Sequence, residues 1–146
     1  MFETIFLTLH LPVFPAWALL ILAPSWIWTA RLVHSGLIPI TLGLAYGALL
    51  AAGVLGGQSA PGAGMTSLGA VMALFSHPVG TLTGWAHFLV FDLFVGAWVA
   101  RDARALGMSH AATVPVLILC LMFGPLGLLA HVLRRGLGGY GWRFGA

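Results

Sequence analysis

A single carboxylate, Asp92, stands inside the apolar run Val79–Ala100. Holding a carboxylate near the centre of a bilayer costs roughly 2.5–3.5 kcal/mol on insertion scales. A buried partner, a water-filled cavity or a substrate must keep it there. His87 lies five residues earlier in the same run, about 140° around a helix, so the two do not share a face. Their partners come from other segments, with His131, Tyr46 and His10 as candidates. A carboxyl that gives a proton and an imidazole that takes one move protons without a redox cofactor. Isomerisation is the reaction class that fits, with Asp92 as the acid and His87 or His131 as the base.

The elements that must position these groups follow from composition. The chain of 146 residues is 60% hydrophobic and 6% charged, and its mean hydropathy is +1.04. A soluble domain carries about 25% charged residues, so this surface is not made for water. A spanning helix needs about 20 apolar residues, and four runs qualify: Ile5–Leu22, Leu37–Leu55, Val79–Ala100 and Ala112–Leu133. Backbone polar groups in lipid must be satisfied within each segment, which makes helices the default. The expected fold is an all-α integral membrane protein with four transmembrane helices. The apolar stretch Met65–Phe75 is too short to span and is expected as an interfacial or re-entrant helix between spans two and three. Residues 1–135 form one domain in this scheme, and 136–146 a Gly/Arg-rich tail. The expected location is multi-pass, in a bacterial inner membrane. Glu3 stands where a leader would be basic, so no cleaved segment is expected.

Breakers refine the layout. Ser35 and Ser76 are candidate N-caps for spans two and three. Pro12, Pro15, Pro115 and Pro125 fall inside spans and predict kinks or broken helices. Gly43 and Gly47 form a small-xxx-small pair, a face on which a homodimer could close. Cys120, Gly124, Gly127 and His131 would share one face of a straight fourth helix. With alternating spans, His10, His77, His87 and His131 fall in the half of the bundle that holds the N-terminus. Arg134, Arg135 and Arg143 fall on that side too, while Arg31, Arg101 and Arg104 fall on the other. The arginines tie, so the positive-inside rule does not orient the chain.

Other chemistry is largely excluded. The net charge of +3 is small and scattered, which does not make a nucleic-acid surface. No HxxxH, HExxH or CxxC spacing occurs, so no metal site is expected. No nucleophile elbow suggests a hydrolase. A bis-histidine haem on His87 and His131 would suit their common depth, but no spacing demands it, and no cofactor is expected. What remains is an apolar cage with one carboxylate, a few imidazoles, Tyr46 and many aromatic rings, which suits a long hydrophobic ligand.

The residues of this cage resemble a known family. The stretch Gly84-Trp85-Ala86-His87-Phe88-Leu89-Val90-Phe91-Asp92-Leu93-Phe94-Val95-Gly96, followed by Arg101-Asp102, is similar to the signature of the plant neoxanthin synthase, or abscisic-acid-deficient-four-like, family. Phe123-Gly124-Pro125-Leu126-Gly127 and Leu11-Pro12 with Trp17 continue the match. The resemblance implies a small membrane protein of about four spans. It also implies conversion of the epoxide violaxanthin to the allene neoxanthin, with Trp85, His87 and Asp92 at matching positions, and so a polyene or isoprenoid ligand whose channel Trp85, Phe88, Phe91 and Trp17 would line. Two alternatives stand beside an isomerase: a non-catalytic carotenoid- or retinal-binding accessory protein, and a small haem-binding membrane protein.

Overall fold

The computed structural model describes residues 1–143. The helices are α1 (Phe2–His10), α2 (Val13–Leu22), α3 (Leu37–Val54), α4 (Leu68–Ser76), α5 (Pro78–Ala105) and α6 (His110–Leu137). One π-helical turn, Thr29–Val33, lies between α2 and α3. There is no strand among the described residues. Four helical stretches, 2–22, 29–54, 78–105 and 110–137, are long and apolar enough to cross a membrane. The all-α expectation therefore stands, with the short element at α4 where Met65–Phe75 was expected. Large apolar side chains such as Leu7, Phe14, Ile40, Leu44 and Met122 lie more than half exposed, as hydrocarbon rather than water would allow.

The chain divides into two compact units: 1–14 with 36–90, and 15–35 with the chain from Phe91 on. In the first unit, α4 begins at Ser67, whose hydroxyl accepts from the Ala70 amide at 3.1 Å. The start of α5 is secured by His77, whose Nδ1 accepts from the Val79 amide at 3.2 Å. The expected cap Ser76 instead donates to the Ala73 carbonyl at 2.8 Å. Ser35, the last residue of the second unit before α3, donates to the Leu32 carbonyl at 3.1 Å. α3 starts after Gly36 with no side-chain cap bond. A Cβ at Gly84 would collide with the Phe75 ring, so glycine there lets α4 and α5 touch. The Gly43 and Gly47 positions have nothing within 4 Å of where a Cβ would sit.

In the second unit, α6 is not one rod. Phe123 (φ −144°, ψ 39°) and Gly124 (φ 3°, ψ −72°) leave the helical region. In a straight helix Ala112 and Arg134 would be about 33 Å apart. Here Arg134 Nη1 donates to the Ala112 carbonyl at 2.8 Å and to Thr113 Oγ1 at 3.3 Å. The helix therefore folds back into two antiparallel arms joined at Phe123–Gly124. Near the turn Gly127 meets Cys120 so closely that a Cβ on Gly127 would sit 2.6 Å from the Cys120 Cα. Pro125 opens the returning arm, where a missing N–H costs nothing. The broken helix expected from Pro125 is present, but its return changes the expected layout. His131, Arg134, Arg135 and Arg143 come back to the C-terminal end of α5 instead of lying at the opposite face. Trp142 packs against Gly136 in the second unit. Of the expected tail 136–146, the last three residues lie outside the described residues.

Candidate functional site

The first unit holds an apolar cavity of about 570 Å³. Its floor is α4 and its sides are α3 and the first turns of α5, so Leu50, Val54, Met65, Leu74, Phe75 and Val79 line it. Its polar groups are few: Tyr46, His87, Thr83, Gln58 and Ser59. The Tyr46 and His87 rings lie 6.0 Å apart between centroids, and Phe88 sets its ring edge-on to His87 at 6.1 Å. Small residues make the room: Gly53, Gly64, Gly80 and Gly84 all line the space. An apolar pocket of this size with a few convergent polar groups is the usual form of a ligand site.

The remaining imidazoles of the first unit are committed elsewhere. His10 Nδ1 donates to the Phe6 carbonyl at 2.7 Å, which leaves Nε2 to accept from Trp85 Nε1 at 3.1 Å. Those two bonds fix the His10 tautomer. Trp85 also packs on Phe6, with centroids 5.8 Å apart. So Trp85 faces α1 rather than the cavity, and His77 is spent on the cap of α5. Of the residues singled out in the sequence, the cavity gathers Tyr46, His87 and Phe88.

Asp92, Phe91, Trp17 and His131 belong to the second unit. Asp92 is half-buried at the middle of α5 and lies against the turn of α6. A Cβ at Gly124 would land on its carboxylate, so only glycine permits this approach. The carboxylate thereby faces the first turn of the returning arm, where the helix dipole favours negative charge. Trp17 is 3% exposed and packs on Gly96. That contact accounts for an indole deep in span one. Phe91 is 55% exposed.

A second polar constellation closes the base of the hairpin. His131 Nε2 donates to Asp102 Oδ2 at 2.7 Å, and Arg135 Nη1 donates to Asp102 Oδ1. His131 Nδ1 accepts from Arg134 Nη2 at 3.1 Å. The Trp98 ring meets His131 edge-on at 5.1 Å. His131 is fully buried and Arg135 is 5% exposed. With both ring nitrogens engaged, His131 holds the arms of α6 to α5, and a haem iron on it would have to break one of these bonds. No cluster of three or more His, Cys, Asp or Glu suited to a metal occurs among the described residues. Sequence reasoning missed Asp102 as a partner of His131. The Arg101-Asp102 pair was visible, but nothing local revealed that a residue 29 positions later would return to it.

Comparison with known proteins gives the same region a lineage. The chain is 26% identical over 129 residues to the protein ABA DEFICIENT 4, chloroplastic, of Arabidopsis thaliana, covering 86% of this chain and 57% of that protein. It thus spans little more than half the length of that relative. No solved structure matches the chain. The family profile described as ABA DEFICIENT 4-like matches residues 4–131, and so takes in both the cavity wall around His87 and the α6 hairpin from the Gly124 turn to His131. The chain belongs to the ABA DEFICIENT 4-like family.

Proposed function

We propose that this chain is a membrane-embedded protein that modifies a carotenoid or related isoprenoid by cofactor-independent isomerisation. The observation that carries the proposal is the apolar cavity walled by Tyr46 and His87 in the first unit. Family membership supports a carotenoid-related role, and four apolar helical stretches support a bilayer setting.

For an epoxide next to a carbon–carbon double bond, the reaction balances without any co-reactant. A base takes the proton from the alkene carbon nearest the epoxide. That C–H electron pair becomes a new double bond to the adjacent epoxide carbon, whose C–O bond breaks. The oxygen keeps that pair and takes a proton from an acid, becoming a hydroxyl. Substrate and product have the same composition, and the new double bond completes an allene. His87 is the proposed base. Two groups are proposed for the acid: the Tyr46 hydroxyl within the cavity, and Asp92 at the α6 turn. The apolar wall formed by Leu74, Phe75 and Phe88 would seat the end group of the substrate and keep water from the carbanion-like centre. A homodimer through the Gly43 and Gly47 face belongs to the same proposal, because small residues let helices approach closely in lipid.

The test is turnover of an epoxy-carotenoid by protein reconstituted in lipid, read by chromatography and mass spectrometry. The proposal expects a product of unchanged mass. Losing a general acid or base typically costs about 10²–10⁴-fold, so His87→Ala should slow the reaction by that order while pigment still binds. Tyr46→Phe and Asp92→Asn separate the two proposed acids. A wild-type protein that holds pigment unchanged would instead favour the non-catalytic binder.

A further inference from the structure

All six arginines of the chain, Arg31, Arg101, Arg104, Arg134, Arg135 and Arg143, belong to the second unit. Their contacts gather them at one end of it. Arg101 donates to His34 Nδ1 at 3.2 Å, just beyond the π-helical turn that carries Arg31. Arg104 donates to the Pro24 carbonyl at 3.1 Å and to Ser25 Oγ at 2.6 Å. Arg135 pairs with Asp102 and donates to the Arg143 carbonyl at 2.6 Å, and Arg134 reaches Ala112. Arg101 and Arg104 lie at the C-terminal end of α5 and Arg134 and Arg135 at the open end of the α6 hairpin, while the α2–α3 connection that carries Arg31 is tied to that end of α5 through Pro24, Ser25 and His34.

The hairpin has the dimensions of a half-membrane excursion. Each arm is roughly 13 residues, or about 20 Å, long, against a hydrocarbon core of about 30 Å. Its turn lies beside Asp92, halfway along α5. Non-helical backbone is tolerated at such depth only where protein buries it, and Gly124 is buried.

We propose that α6 enters and leaves the bilayer through the same face, and that this face is the cytoplasmic one, where the arginine cluster meets anionic lipid headgroups. The α5–α6 loop and the segment after Leu137 then share a side. The positive-inside rule, tied when the arginines are divided three and three, becomes six to none in the folded unit and orients it. The turn at Phe123–Gly124 becomes a mid-membrane device that brings a helix N-terminus to Asp92, the arrangement by which discontinuous helices present polar groups deep in a bilayer. This inference concerns topology and stands whether or not the isomerase proposal holds.

The test is substituted-cysteine labelling in bacterial cells expressing the full chain, on a Cys120→Ala background that removes the one native thiol. Single variants Ser109→Cys, Tyr140→Cys and Ser76→Cys are treated with a membrane-impermeant maleimide before and after permeabilisation. Ser76 immediately precedes the stretch 78–105, which is long and apolar enough to cross a membrane. The proposal expects Ser109→Cys and Tyr140→Cys to label together, only after permeabilisation, and Ser76→Cys to label in intact cells. Labelling of Ser109→Cys and Tyr140→Cys on opposite sides would overturn the hairpin. Labelling of both from outside would overturn the arginine-face assignment. Full-chain fusions give a second reading should a cysteine variant not insert: a fluorescent protein placed after Ala146 should fluoresce and alkaline phosphatase at the same point should be silent. An active phosphatase there would overturn the proposal as well.

Discussion

Replacing Asp102 by alanine probes the clamp that holds α6 in its folded-back form. Asp102 accepts the His131 imidazole on one oxygen at 2.7 Å and the Arg135 guanidinium on the other. Their side chains are only 0% and 6% exposed. Removing the carboxylate leaves a guanidinium without its anion in a dry site, and breaking a buried pair in this way costs about 3–5 kcal/mol. For a chain of this size each kcal/mol moves the melting midpoint by roughly 2–4 °C, so Asp102→Ala should melt roughly 6–20 °C below the parent. The assay is thermal unfolding in mild detergent, followed by Trp fluorescence, with Trp98 stacked edge-on against His131 as a local reporter. The double variant Asp102→Ala/Arg135→Met removes the stranded charge together with its partner. It should recover at least half of the lost stability, since apolar replacement of a buried pair is often neutral. A single-variant loss below about 1 kcal/mol is what a solvated surface pair would give, and it would refute the clamp. A double variant worse than the sum of the single variants would refute the stranded-charge reasoning.

Other consequences follow from the same contacts. Gly127→Ala pushes a methyl into the Cys120 backbone and should cost about 1–3 kcal/mol, as overpacking does, seen as a lower detergent melting point; Gly43→Ala, facing open space, should not. Asp92→Asn keeps the size of the side chain at the Gly124 turn, so its melting point should stay within about 1 kcal/mol of the parent; turnover that falls about 10²–10⁴-fold would mark proton transfer at Asp92, and unchanged turnover would leave the acid to Tyr46. Trp85→Phe removes the indole donor to His10 and should cost about 0.5–1.5 kcal/mol, the net worth of one hydrogen bond; unchanged stability would show that contact to be idle. Gly43→Cys should form an intermolecular cross-link under oxidation in native membranes if the proposed dimer exists, and Leu55→Cys serves as the comparison.

The sequence made the helices legible because hydropathy and length are local properties. It also located the break in α6, since Gly124-Pro125 cannot continue a regular helix. The direction taken after the break was not legible. A hydropathy window reads the arms as one span, and the contacts that reveal the reversal are tertiary: Asp102 with His131 and Arg135, and Ala112 with Arg134. The stripe Cys120, Gly124, Gly127 and His131 was seen as one face of a straight helix. All four are buried, yet Cys120 and Gly127 meet across the fold of the hairpin. The cavity was partly legible, because Tyr46 and His87 were named from residue type and placement and Phe88 with the family resemblance. Trp85 was drawn away by His10, a partner 75 positions distant. Caps were the weakest local inference: His77 serves α5 where Ser76 was expected, and Ser67 caps α4, for which no cap was expected, because several polar residues precede each helix and only the folded backbone selects among them.

Transfer of a single proton from substrate carbon to a group on the cavity wall is the step on which the functional account depends. The direct measurement uses an epoxy-carotenoid carrying deuterium on the alkene carbon beside the epoxide, incubated with reconstituted protein in ordinary water. The account predicts an allenic product that is one mass unit lighter, its deuterium lost to solvent, and far slower formation of that product by His87→Ala. Recovery of the pigment unaltered, or of an isomer that keeps its deuterium, would contradict it.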